Sequence, residues 1–185
     1  EQLAPTLVIY YDLGSTHFYT LLAAATGREP ERFRLDSRYK AQIALLKAEV
    51  RTETLTASVF QPLRGKLNVY RSYRAIGQVL RDAGFLFPRL MDEIPEGQSI
   101  VVSAERLLEL DDVVFLDRFR SVRNAGGKAE LEAMEKIIPG FCRFLAACRE
   151  GRYILIPREE AISNSYAALS RMVATVQTAF GPRPD

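Results

Sequence analysis

The sequence predicts an α/β fold: a doubly wound, mainly parallel sheet with helices on both faces. Two observations carry the prediction. Short apolar runs of strand length alternate along the chain with segments of helical periodicity. Two of those runs, Ile100–Val102 and Val113–Leu116, are β-branched and aromatic without polar alternation, as in strands covered on both faces. At 185 residues with 48% hydrophobic side chains, the chain is long enough to bury such a core. A net charge of +2 argues for neither nucleic acid nor a membrane surface. No run approaches the roughly 20 apolar residues of a membrane span, and no internal repeat is visible.

In chain order, Thr6–Tyr11 reads as a strand, and Gly14 and Ser15 lead into a helix that reaches about Ala25 and stops at Gly27. A longer helix starts near Pro30 and spaces Phe33, Tyr39, Ile43, Leu46 and Val50 on one side. Strands Leu55–Phe60 and Leu67–Tyr70 flank a turn at Pro62–Gly65. A helix carrying Ile76, Val79 and Leu80 ends at Gly84, and Phe85–Gln98 reads as a loop. Between the two central runs a helix of barely two turns takes Ser103 as its N-cap, with Glu105 in the first turn. Gly126 and Gly127 precede a helix over Lys128–Ile138, and a second runs from Phe141 to Glu150. Tyr153–Ile156 is the last strand. Ser163 or Asn164 caps a final helix containing Leu169, Met172, Val173, Val176 and Phe180, and Gly181–Asp185 is a tail.

Cys142 and Cys148 lie six residues apart in the segment read as continuous helix. Six helical residues rise roughly 9 Å, beyond the about 7 Å that a disulfide spans between Cα atoms, so buried packing rather than a bridge is expected. Two cysteines without neighbouring histidines also make a poor metal site.

In open α/β sheets, ligands bind outside the carboxyl ends of strands. Leu67–Tyr70 is followed by Arg71, Tyr73 and Arg74, and Val113–Leu116 by Arg118, Arg120 and Arg123. Guanidinium groups carry permanent charge and forked donors suited to anionic oxygens. Tyr73 and Tyr166 offer rings and hydroxyls, with Asn164 beside the latter. These residues form a candidate basic, ligand-facing patch, set against solvated loop charge that pairs with Asp117. His17, the only histidine, has no nucleophile or acid beside it in sequence and is read as structural. No nucleophile elbow, phosphate-binding lysine loop or dinucleotide fingerprint is present, so no catalytic residue is assigned.

Three segments carry a resemblance. K-L-N-V-Y-R-S-Y-R-A-I-G-Q-V-L-R-D-A-G-F (residues 66–85), S-A-E-R-L-L-E-L-D-D-V-V-F-L (103–116) and G-R-Y-I-L-I-P before the last helix resemble the C-terminal lobe of the substrate-binding proteins of iron-siderophore and cobalamin ABC importers. A-P-T-L-V-I-Y-Y-D near the start is similar to the last strand of that family's N-terminal lobe, and the helix around Tyr39–Val50 to its inter-lobe helix. The resemblance implies three parts: residues 1–28 as a remnant of the first lobe, 29–52 as the bridging helix and 53–185 as the C-terminal lobe. It implies that most of the first lobe, and any signal or lipid-attachment cysteine, is missing. It further implies capture of a ferric siderophore or similar chelate without catalysis or resident cofactor, a periplasmic or extracytoplasmic location with lipid anchoring left open, and Glu105 as a contact with the importer's permease. Haem or cobalamin binding, a phosphate-handling α/β enzyme and a self-associating module are the alternatives; nucleic acid is not an expected partner.

Overall fold

The computed structural model describes residues 15–71, 74–95, 98–110, 113–118, 128–163 and 165–180, and of residues 15–17, 108, 113–118 and 129 the backbone only. The expected strand at Thr6–Tyr11, the Gly126–Gly127 break and the tail lie outside the described residues. Helix α1 (Ser15–Thr26) and the long α2 (Glu29–Glu49) precede strand β1 (Ala57–Leu63), β2 (Lys66–Tyr70) and α3 (Arg74–Asp82). Next come α4 (Arg89–Asp92), β3 (Ser99–Val102), a 3-10 turn (Glu105–Glu109) and β4 (Val113–Arg118). The chain continues through α5 (Lys128–Ile137), α6 (Phe141–Phe144), α7 (Ala146–Arg149), β5 (Tyr153–Pro157), α8 (Arg158–Ala161) and α9 (Tyr166–Phe180).

Five strands form one sheet in the order β3-β2-β1-β4-β5. The α/β class and the helices on both faces agree with expectation, but the sheet is mixed rather than mainly parallel. β4 pairs in parallel with β1 and β5, whereas β2 is antiparallel to both β1 and β3. The cause is the connection: Leu63 and Lys66 are paired partners, so Arg64 and Gly65 alone join β1 to β2. Two residues close only an antiparallel hairpin, and the favoured type I′ turn needs positive φ at both, here 51° and 72°.

β1, the middle strand, is buried on both faces. Ala57 and Val59 join a core built from α2, α3 and α9, including Tyr39, Leu46, Ile76, Leu80, Leu169 and Met172. Phe60 points to a second core containing Leu67, Val69, Leu107, Met134 and Phe141. β3 departs from its expected covering. It is an edge strand with Val101 55% exposed, because it follows β2 outward in the meander instead of lying beside β4.

Helix α2 lies along α9 in the same direction, tied by Ser170 Oγ to Gln42 Oε1 (2.8 Å) and by Gln177 Nε2 to Glu49 Oε2 (3.1 Å). Its second half packs through Tyr39, Ile43 and Leu46, but Phe33, expected on the same side, is 67% exposed. The Tyr39 hydroxyl donates to Asp82 Oδ2 at 2.7 Å, and Thr52 Oγ1 donates to the Ala83 carbonyl at 2.5 Å, so α2 and the segment after it grip the end of α3.

The expected continuous helix from Phe141 to Glu150 is instead α6 and α7, broken at Leu145 (φ −81°, ψ 114°). The bend brings the Cα atoms of Cys142 and Cys148 to 5.1 Å, and the two form a disulfide. The expectation of unbridged cysteines fails because the axial rise of an unbroken helix does not apply across an extended residue.

Candidate functional site

Strand direction decides which side chains can meet. β1, β3, β4 and β5 point one way and β2 the other. The carboxyl edge therefore gathers the hairpin tip Arg64–Gly65, the end of β4 at Arg118, the end of β5 at Pro157, which is paired with Arg118, and the chain leaving β3 toward Glu105. Arg71 lies at the opposite edge. From the row of Phe60, Arg118 is two residues along in one direction and Arg71 two residues in the other, a divergence of roughly 13 Å along the strands. Arg71 and the end of β4 at Arg118, expected on one patch, therefore lie at opposite edges, because β2 runs backwards.

Arg71 also braces the fold locally. Its Nη1 donates to the carbonyls of Asp92 (3.2 Å) and Ile94 (3.0 Å), pinning the end of α4. Arg74 opens α3 with φ 40°, a left-handed backbone for a non-glycine residue. Tyr73, Arg120, Arg123 and Asn164 lie outside the described residues, and Arg118 is described by its backbone alone.

Tyr166 begins α9 and is buried, its ring 5.3 Å from that of Tyr19, and burial pushes its hydroxyl's pKa up. Ser165, rather than Ser163, caps α9. Ser165 Oγ accepts from the Ala168 N–H at 3.1 Å, the reach of an N-cap to the third helical residue, and the Ser163 hydroxyl accepts from the Ser165 N–H at 3.3 Å.

Glu105 is exposed at the start of the 3-10 turn, beyond the carboxyl end of β3. Ser103 does not cap this turn; its side-chain hydrogen bond to the Glu105 carboxylate holds that group below its ordinary pKa. The neighbouring Arg106 clamps Glu109 (2.8 and 2.9 Å) and Glu93 (3.1 Å). Among the described residues no cluster of histidine, cysteine and carboxylate side chains suits a metal ion.

Arg64 is the edge residue that sequence reasoning misses. A signal for it exists: R-G between two apolar runs marks a two-residue hairpin, and the hairpin direction puts its tip at the edge where the parallel strands end.

No protein-family model matches the chain, and no curated protein matches it. Solved structures do. SirA of Staphylococcus aureus superposes with a TM-score of 0.73 at 18% identity, over 89% of this chain and 64% of that one. A periplasmic binding protein of the FhuD fold family from Bacillus subtilis, a component of a ferrichrome ABC transporter, gives 0.74 at 17%, over 94% and 64%. FhuD of S. pseudintermedius gives 0.74 at 13%, over 92% and 62%. The chain has the FhuD fold. It spans less than two thirds of the length of each of these three proteins. Others of the fold carry ligands in their structures, SirA with staphyloferrin B and FeuA of B. subtilis with ferri-bacillibactin.

Within the FhuD fold of this chain, the carboxyl edge offers what a strand-end site needs: a left-handed turn presenting a cation, two parallel strand ends in register, and a capped helix beginning nearby. Such an edge suits binding of an anionic oxygen ligand by guanidinium groups.

Proposed function

We propose that this chain is the C-terminal lobe, with the inter-lobe helix, of an extracytoplasmic ferric-siderophore-binding protein serving an ABC importer. The supporting observation is the FhuD fold itself, shared over 89–94% of the chain with longer proteins, among them one named as a ferrichrome-transporter component. On this reading residues 1–28 finish a first lobe, 29–52 bridge and 53–185 form the second lobe. The Cys142–Cys148 bridge suits an oxidising compartment.

Arg64, Arg118, Arg120 and Arg123, with Asn164 and Tyr166, would hold the chelate's anionic oxygens at the carboxyl edge, against a first lobe that closes over them. Binding, not bond making, is the activity on this reading, and the iron is cargo. Glu105, ionised and exposed on the same edge, is the candidate contact with the permease; Glu105→Gln then leaves chelate affinity unchanged and lowers importer-coupled uptake.

The deciding experiment titrates a protein extended by its first lobe with catecholate, hydroxamate and citrate-type ferric siderophores, haem and cobalamin, following heat and thermal midpoint. One ferric siderophore should raise the midpoint in proportion to the logarithm of its concentration, and Arg118→Ala/Arg120→Ala should weaken it about tenfold or more. A response to haem or cobalamin alone, or to none of the panel, overturns the siderophore reading.

A further inference from the structure

A groove of about 470 Å³ opens where α1 and the first half of α2 meet the start of α9. That volume is in the range of small-molecule sites. Leu22 and Leu35 give it apolar walls, and the tilted rings of Tyr19 and Tyr166, 5.3 Å apart, supply aromatic surface. Its charges are unevenly matched. Arg28 on the rim pairs with Glu31 at 3.4 Å, and Lys40 one turn beyond pairs with Asp36 at 2.7 Å. Arg32 lies between these pairs, half-buried in the groove wall, and its Nε is buried with no hydrogen-bond partner among the described residues. A buried donor without an acceptor is uncommon in folded proteins and calls for a partner.

We propose that this groove binds a planar aromatic monoanion, its carboxylate on Arg32 and its ring against Tyr19 and Tyr166. The ligand class follows from the chemistry. A guanidinium matches a carboxylate with two parallel hydrogen bonds, the tyrosine rings favour a flat partner, and one cation unmatched among the described residues balances one negative charge. The apolar walls contribute little to a purely polar anion such as phosphate, which excludes it as the intended occupant. The groove shares Tyr166 with the proposed chelate site but rests on Arg32 and Tyr19, and it stands whether or not the carboxyl edge takes a ferric chelate.

The test uses the 185-residue chain and 2-naphthoate as probe, followed by calorimetry and by the ring-proton resonances of the tyrosines. Saturable one-to-one binding is expected, with Tyr19 and Tyr166 resonances shifting together. Arg32→Gln should weaken it about tenfold while leaving the thermal midpoint in place. Neutral 2-naphthalenemethanol, which needs no variant, should bind about tenfold more weakly than naphthoate to the unaltered chain. Absence of saturable binding, equal affinity for the neutral compound, or Arg32→Gln binding as tightly as the parent each overturns the proposal.

Discussion

Two tyrosines packed into the cores, Tyr39 and Tyr153, show how one hydroxyl decides the effect of the same substitution. Tyr39 donates to Asp82, so Tyr39→Phe should lower stability by about 1–2 kcal/mol in urea unfolding. The Tyr153 hydroxyl is buried without a hydrogen-bond partner among the described residues, so Tyr153→Phe should be neutral or stabilising at pH 7; a loss as large as that of Tyr39→Phe would contradict this. Burial is the first cause raising both phenols above the ordinary tyrosine value. The sign follows: the folded state keeps its protons while the unfolded chain releases them near pH 10. The contribution is whole below that pH and is lost above it, at up to about 1.4 kcal/mol per pH unit for each ring. Unfolding midpoints at pH 8, 10 and 11 should fall less steeply for Tyr153→Phe than for the parent. The sequence marks both tyrosines as apolar-face residues but not which would find an acceptor, since Asp82 is forty-three positions from Tyr39 and their meeting depends on how α3 ends against α2.

At the level of elements, two short features carry predictions of opposite kind. The Cys142–Cys148 bridge closes a small loop across the α6–α7 bend. Loop-closure entropy for so few residues gives about 2 kcal/mol, so the Cys142→Ser/Cys148→Ser variant or added reductant should lower the thermal midpoint by several degrees. An unchanged midpoint would mean that packing of Phe141 and Leu145 holds the bend alone. The Arg64–Gly65 turn is the converse case, because Arg64 sits at φ 51° where asparagine is better tolerated. Arg64→Asn should gain about 0.5–1 kcal/mol and, on the siderophore reading, weaken chelate binding in the extended protein. A gain in stability with undiminished affinity would leave Arg64 a turn residue only. The bend at Leu145 is not legible in the sequence, which carries neither glycine nor proline there. The hairpin is legible: with Pro62–Gly65 a turn between two strands, their antiparallel pairing follows.

Across the whole molecule, periodicity alone foretells the α/β class, most of the helical faces, Phe33 of α2 apart, and the strands among the described residues, because those depend on burial patterns within ten or fifteen residues. Strand order does not follow from them. The apolar run at Ile100–Val102 reads as an interior strand and is an edge, and the reversed β2 puts Arg71 at the edge opposite the end of β4, where the sequence assigns both to one site. The mixed sheet has a further consequence, for the route by which the chain folds. The β1–β2 pairing is closed by two residues, whereas Ala57 must find Val113 and Val114 must find Tyr153. Local pairings cost less chain entropy to form early than distant ones. In stopped-flow refolding, Val69→Ala should therefore slow folding, while Ile156→Val on β5 should chiefly hasten unfolding. The reverse pattern would place the nucleus in the parallel half. The hairpin is then a seed, and the strands that carry the candidate site's arginine and proline ends are the last to be laid against it.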